Sequence, residues 1–262
     1  MPNDLFTLRS PNAQAIPIVA NLPHSGLQIP DEMAAQFTAQ QRRSLPNSDW
    51  HLQRLYSFLP TLGITVLQAN YSRYVVDLNR ALKPPLFGSF WSAVVPEQTA
   101  FKQPIYLQKP SQIEVQQRID AFYTPYHEQL SAVLNDAIAQ FGQVTLLDLH
   151  SFMGLITDDV CLGNANGETC PEALIDQVAE RFTQQGYQTV KNKVFTGGFI
   201  TRHYGLQPQI AALQIELRYP TYLPDDQLKT DEIPQWQGER FEQAQERLRE
   251  IFGAIAASQF GS

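Results

Sequence analysis

Two of the five histidines in this 262-residue chain stand in matching surroundings. His24 lies in IPIVANLPHSG and His150 in VTLLDLHSFMG, and each time an apolar run gives way to His-Ser. A histidine just past the end of a buried strand sits where open α/β sheets bind their ligands, outside the carboxyl ends of the strands. Neutral imidazole is the commonest metal ligand. A catalytic zinc typically takes three protein ligands, often two His and a carboxylate, and leaves a fourth position to water. A single histidine at a strand end more often bonds a loop, but two in matched settings bring metal ligation level with that reading.

Two further stretches carry chemistry. In NYSRYVVDLNR (70–80), Arg73 and Arg80 flank a strand-like segment and Asn79 precedes the second arginine. A guanidinium fork binds carboxylates bidentately and can donate to a developing oxyanion. Taken alone, the pair reads first as surface ion pairs, with Asp77 as a partner. In LQIELRY (213–219), Glu216 sits inside an apolar run. A buried Glu must be paired, ligated or catalytic because its desolvation is costly. The competing reading is an edge strand with Glu216 facing solvent. A desolvated Glu beside a metal-bound water is a good general base.

The elements that must position these residues are legible as short apolar runs. Strands are expected at 16–22, 64–69, 74–78, 144–149, 160–162, 187–191 and 211–217. Runs apolar on both faces suit a largely parallel sheet. Helices are expected at 31–43, 50–59, 111–141, 171–185 and 232–257. The longest opens with SQIE, a capping box, and stops at Gly142. Pro125 inside it should kink or split it. Alternating strands and helices argue for an α/β sheet with helices on both faces. No linker divides residues 1–262, which read as a single domain, and 83–110 reads as a long, Pro-rich, functional loop.

Composition narrows the function. Net charge is −7 and no basic stretch offers a nucleic acid a place to dock. No apolar run approaches the about 20 residues that a membrane span requires. With no signal peptide, Cys161 and Cys170 read as reduced thiols of a cytoplasmic protein.

Together, PHSG, SDWHLQRLY, SRYVVDLNR, LDLHSF, CLGNANGETC, VFTGGFITRHYG and LQIELRY resemble, in order from about 21 to 222, the N-formylglutamate amidohydrolase (deformylase) family. That family is related to the zinc carboxypeptidases, succinylglutamate desuccinylase and aspartoacylase. The resemblance implies their fold, a twisted, mixed, largely parallel eight-stranded sheet sandwiched between helices (zinc carboxypeptidase-like, phosphorylase/hydrolase-like). It implies one Zn2+ per chain, with His24 and His150 as ligands, and makes Glu216 the general base. Arg73 matches the arginine that polarises the scissile carbonyl. Asn79 and Arg80 match the pair that holds the substrate α-carboxylate.

The wider superfamily places an acidic ligand three residues after the first histidine, where this chain has Leu27. Asp49 in SDWH is the expected replacement, with Asp148 and His51 behind it. Arg202 and His203 are candidates for the distal carboxylate of a glutamyl substrate. Phe87, Phe90 and Trp91 could close a small acyl pocket. The thiols of CLGNANGETC are expected to pack. The implied activity is hydrolysis of N-formyl-L-glutamate to formate and glutamate, in histidine breakdown. The alternatives are a zinc amidase for another N-acyl amino acid or small peptide, and a non-catalytic binding protein on the same fold.

Overall fold

The computed structural model describes residues 4–260. Strands form at β1 (Phe6–Arg9), β2 (Ile18–Leu22), β3 (Thr65–Ala69), β4 (Phe87–Gly88), β5 (Val95–Pro96), β6 (Val144–Phe152), β7 (Val160–Gly163), β8 (Thr189–Lys191) and β9 (Ile210–Arg218). Helices form at α1 (Asp31–Ala34), α2 (Ala39–Ser44), α3 (Leu52–Leu55), α4 (Gln112–Arg118), α5 (Thr124–Phe141), α6 (Glu172–Gln184), α7 (Phe199–Gly205) and α8 (Glu239–Phe260).

Seven strands make one mixed sheet in the order β1-β3-β2-β6-β9-β7-β8. The β3–β2, β2–β6, β6–β9 and β7–β8 pairs are parallel, whereas β1–β3 and β7–β9 are antiparallel. The central strand β6 is buried along all nine residues. Period-2 alternation divides its side chains between two cores. Leu147 and Leu149, with Leu213, Ile215 and Leu217 of β9, meet α6 and α8 through residues such as Phe182 and Leu248. Leu146 and Val144, with Ala212 and Ile210, meet α5 through Tyr126 and Leu130. The expected sheet between helices is therefore present.

Its details differ from expectation. The sheet has seven strands among the described residues, where the resemblance implied eight. Residues 74–78 are not a strand. Val75 N–H turns back to Ser72 O (2.8 Å) and Asp77 N–H reaches Val94 O (2.6 Å). Tyr74 and Val75 are fully buried, so their apolarity reports enclosure rather than extended backbone. The polar N-terminal stretch supplies an unexpected edge strand, β1. The 31–43 region breaks where Thr38 caps α2, its side chain accepting from Gln41 N. The 50–59 region yields only α3 and a 3-10 turn, because His51 adopts a left-handed φ of 64°. The Ser111/Glu114 capping box is present. Pro125 does not break its helix; a π turn at Ile119–Tyr123 just before it joins α4 to α5. That wider turn absorbs the N–H that proline lacks.

Candidate active site

A cavity of about 920 Å³ opens at the carboxyl ends of β2, β6 and β9. His24 follows β2, His150 lies near the end of β6, and Asp49 precedes α3. The Asp49 N–H donates to His24 O (3.0 Å), which ties the two loops together. His24, Asp49 and His150 are all buried, and one ligand atom from each lies within 4.8 Å of the others. Asp49, the expected replacement of the acid missing at Leu27, thus lies with the two histidines. Leu27 itself packs against the apolar core.

The two imidazoles are oriented alike. Their Nδ1 atoms face Asp49 Oδ2, at 3.9 Å from His24 and 3.1 Å from His150. Their Nε2 atoms face other carboxylates, Asp77 for His24 (2.7 Å) and Asp148 for His150 (3.2 Å). A carboxylate only accepts, so His24 Nε2 donates to Asp77, its nearest carboxylate. His150 meets a carboxylate at each nitrogen, which favours a proton on both, and a cation beside Asp49 would take the place of the Nδ1 proton. Carboxylate–histidine pairs of this kind fix the tautomer of metal-binding imidazoles. Asp148, one of the weaker ligand candidates, therefore sits behind His150, on the side away from Asp49. His51 bonds Pro234 O (2.6 Å) and lies outside the cluster.

The donor set fits a divalent cation. Four buried acids, Asp49, Asp77, Asp148 and Glu216, meet the guanidiniums of Arg73 and Arg80, with Arg202 at the border of the cavity. The acids thus exceed the arginines by one, and that excess is met by a cation or by a proton on His150. Burial, with Arg73 nearby, pushes His24 down to about 4, so it is neutral and able to ligate. Burial opposes the Asp77 carboxylate, but Arg73 and His24 outweigh it and hold Asp77 well below the usual range. Burial likewise opposes charge on His150, yet Asp148 prevails and raises it well above the ordinary imidazole value. The field that favours a proton there favours a metal equally, and metal binding displaces the proton.

Glu216 stands opposite His150 in the β6–β9 register. It is buried, which excludes the solvent-facing edge-strand alternative. Burial lifts it to about 7; His150 opposes this, while Asp49 and Asp148 add to it.

Arg73 donates to Asp77 Oδ2 from Nε (3.2 Å) and Nη2, and to Asn47 O from Nη1 (3.1 Å). It lies over the Phe90 ring at 4.5 Å. The arginines are thus built into the site and are not surface ion pairs. Arg80 bonds Phe90 O and Asn79 O through Nε and Nη1. Asn79 accepts from Ile200 N–H (2.8 Å), and its Nδ2 lies against His150. Arg202 borders the cavity, held by Gly197 O and Thr196 Oγ1. His203 does not border it; it stacks on Phe199 (5.0 Å) and lines a separate cavity with His127. On a helix, adjacent residues diverge by about 100°, so Arg202 and His203 cannot share a face. Phe90 and Trp91 border the active cavity, whereas Phe87 packs toward Tyr106. Cys161 and Cys170 are free and buried, as expected for packing thiols.

Residue types taken one at a time do not single out Gln214, and they show Asp77 only as a surface ion-pair partner. Both had a signal in the pattern. Gln214 and Asp148 stand two residues before Glu216 and His150 on their strands, hence on the same face. Asp77 stands four residues after Arg73.

A desolvated carboxyl beside a buried His–Asp–His group, at the carboxyl edge of a mixed α/β sheet, is equipment for activating water, and it defines the class as a hydrolase. Residues 16–223 match the N-formylglutamate amidohydrolase family, and the chain belongs to that family. It is 34% identical over 222 residues to the N-formylglutamate deformylases of Pseudomonas aeruginosa and Pseudomonas putida, covering 80% of this chain and 83% of each relative. The crystal structure of N-formylglutamate amidohydrolase from Ralstonia eutropha JMP134 superposes with a TM-score of 0.83 at 29% identity, over 98% of this chain and 99% of that one. A gene product of Agrobacterium tumefaciens shares the fold, with a TM-score of 0.72 at 18% identity, over 98% of this chain and 95% of that one.

Proposed function

We propose that this protein hydrolyses N-formyl-L-glutamate to formate and L-glutamate, using one zinc ion held by His24, Asp49 and His150. The convergence of both Nδ1 atoms on Asp49, with Glu216 in register beside His150, is the observation that carries this reading. When bound, such a metal lowers the pKa of a water and polarises a carbonyl. Glu216 accepts the proton as water attacks the formyl carbon and returns it to the departing amine. Arg73 donates to the oxygen that gains charge. Arg80 and Asn79 hold the α-carboxylate, and Arg202 is the cation for the distal carboxylate. His203 takes no part in that subsite because it faces another cavity. Phe90 and Trp91 narrow the acyl end. The chain acts as one catalytic domain on a small-molecule substrate. Among the described residues, no helix is long and apolar enough to cross a membrane, and we place the enzyme in the cytoplasm, in histidine breakdown.

A formate-release assay tests the proposal. N-formylglutamate should be cleaved faster than N-formylaspartate, with Glu216→Gln as the control, and an acid-release assay should find N-acetylglutamate and N-succinylglutamate slower still. Equal rates on all four sink the specificity. Purified protein should carry about one equivalent of zinc, lost on chelation together with activity.

A further inference from the structure

Gln214 sits two residues before Glu216 on β9, so both side chains point to one face of the sheet. It is 3% exposed and borders the active cavity. Its carboxamide is held at both ends. Gly198 N–H donates to Oε1 (2.5 Å), and Nε2 donates to Glu216 Oε1 (2.9 Å). A backbone N–H only donates, so the oxygen end must face Gly198. Flipping the amide would set donor against donor at Gly198 and acceptor against acceptor at Glu216. Gln214 is therefore a one-way donor to the carboxyl.

We propose that Gln214 is the positioning residue for Glu216: it occupies one carboxylate oxygen and presents the other, Oε2, for proton transfer. This rests on Glu216 being the base. The last torsion of a glutamate is broad, so a carboxylate without such a partner samples orientations that do not face the attacking water. A hydrogen bond to an ionised acceptor is about twice as strong as a neutral one, enough to select one orientation. Proximity effects in catalysis depend on this kind of alignment.

The anchor comes from the Gly197–Gly198 turn. Gly197 has a φ of 123°, and a Cβ on Gly198 would lie 2.4 Å from Asn79 Nδ2. The same turn sends Ile200 N–H to Asn79 Oδ1 (2.8 Å). One short stretch of backbone thus aligns the base, through Gln214, and a residue of the α-carboxylate subsite directly.

The test measures kcat and KM on N-formylglutamate for Gln214→Met, Gln214→Glu and Glu216→Gln, with thermal melting and the pH dependence of kcat/KM alongside. Gln214→Met removes the donor to Glu216 and should lose about 10-fold or more in kcat, with KM within about twofold. Gln214→Glu sets a second carboxyl against Glu216, where the two share one proton, so the acid limb of kcat/KM should move to higher pH. Wild-type kcat in Gln214→Met, or a loss confined to KM, overturns the proposal while Glu216→Gln remains inactive. An acid limb in Gln214→Glu that stays where the parent has it also overturns it. Activity in Glu216→Gln overturns the base assignment instead, and is distinguished by that variant alone.

Discussion

Asp77 is the residue on which the polar site turns. It accepts from His24 Nε2, from Arg73 and from Asn79 N–H (2.9 Å), and it is fully buried. Replacing it by Asn keeps the shape but removes the charge that fixes the His24 tautomer and offsets Arg73. Metal affinity should fall about 10–100-fold, measured by competition against a chromophoric chelator. Unchanged affinity would contradict the orienting role. Glu216 yields a second prediction. A base acts in its ionised form, so kcat/KM should rise with pH through the pKa of Glu216 in the free enzyme. Burial places that value at about 7, and a neighbouring dication stabilises the carboxylate and lowers it. The acid limb should therefore lie at or below about 7, and a limb well above neutrality would exclude Glu216 as the group observed.

At the scale of elements, the strands carry the site and the turns adjust it. Three adjacent parallel strands deliver His24, His150 and Glu216 to one edge, so their approximate convergence follows from topology. The Gly197–Gly198 turn sets the finer spacing. Gly198→Ala would drive a Cβ into the Asn79 carboxamide. That displacement should raise KM for the α-carboxylate substrate more than it lowers melting temperature, because Asn79 must move while the sheet need not. Steady-state kinetics beside thermal melting checks it; equal KM in parent and variant would show that the contact is accommodated elsewhere. The strands that lead to His24 and His150 were readable because their residues are apolar on both faces. The turn at 74–78 was not, since a buried turn and a buried strand have the same composition.

For the whole molecule, buried titratable groups set the acid limit of stability. His127 of α5 donates to Leu78 O from Nε2 (2.9 Å), which turns its Nδ1 toward the Tyr204 hydroxyl (3.0 Å). Burial, against the pull of Leu78 O, lowers its pKa to about 4 from 6.5. The unfolded chain thus takes up a proton first as pH falls. Stability is unaffected by this residue above the unfolded value and declines between there and about 4, by about 3 kcal/mol in all. Asp77 and Asp148, held below their ordinary values, act in the same direction at lower pH. Glu216 and His150, raised by the fold, act in the opposite direction, so the comparison is between parent and His127→Gln. The stability of the parent relative to the variant, from denaturant unfolding at pH 8, 6 and 5, should fall with pH. A difference that stays constant with pH would contradict a neutral, buried His127.

The order of apolar runs determined the α/β class, and the types of His24, His150, Arg73, Arg80 and Glu216 determined what chemistry was available. Residue type and period-2 or helical spacing are local properties, and a linear chain states them directly. Which groups meet is not local. Asp49 and His150 are separated by 101 positions and Asn79 and Ile200 by 121, and only the packed sheet brings them together. Tertiary structure likewise decided that Asp148 backs His150, that His203 faces away while Arg202 borders the cavity, and that Gln214 donates to Glu216. Each of these depends on direction and burial. A side chain acquires both only when the surrounding strands and turns exclude water and close the distance.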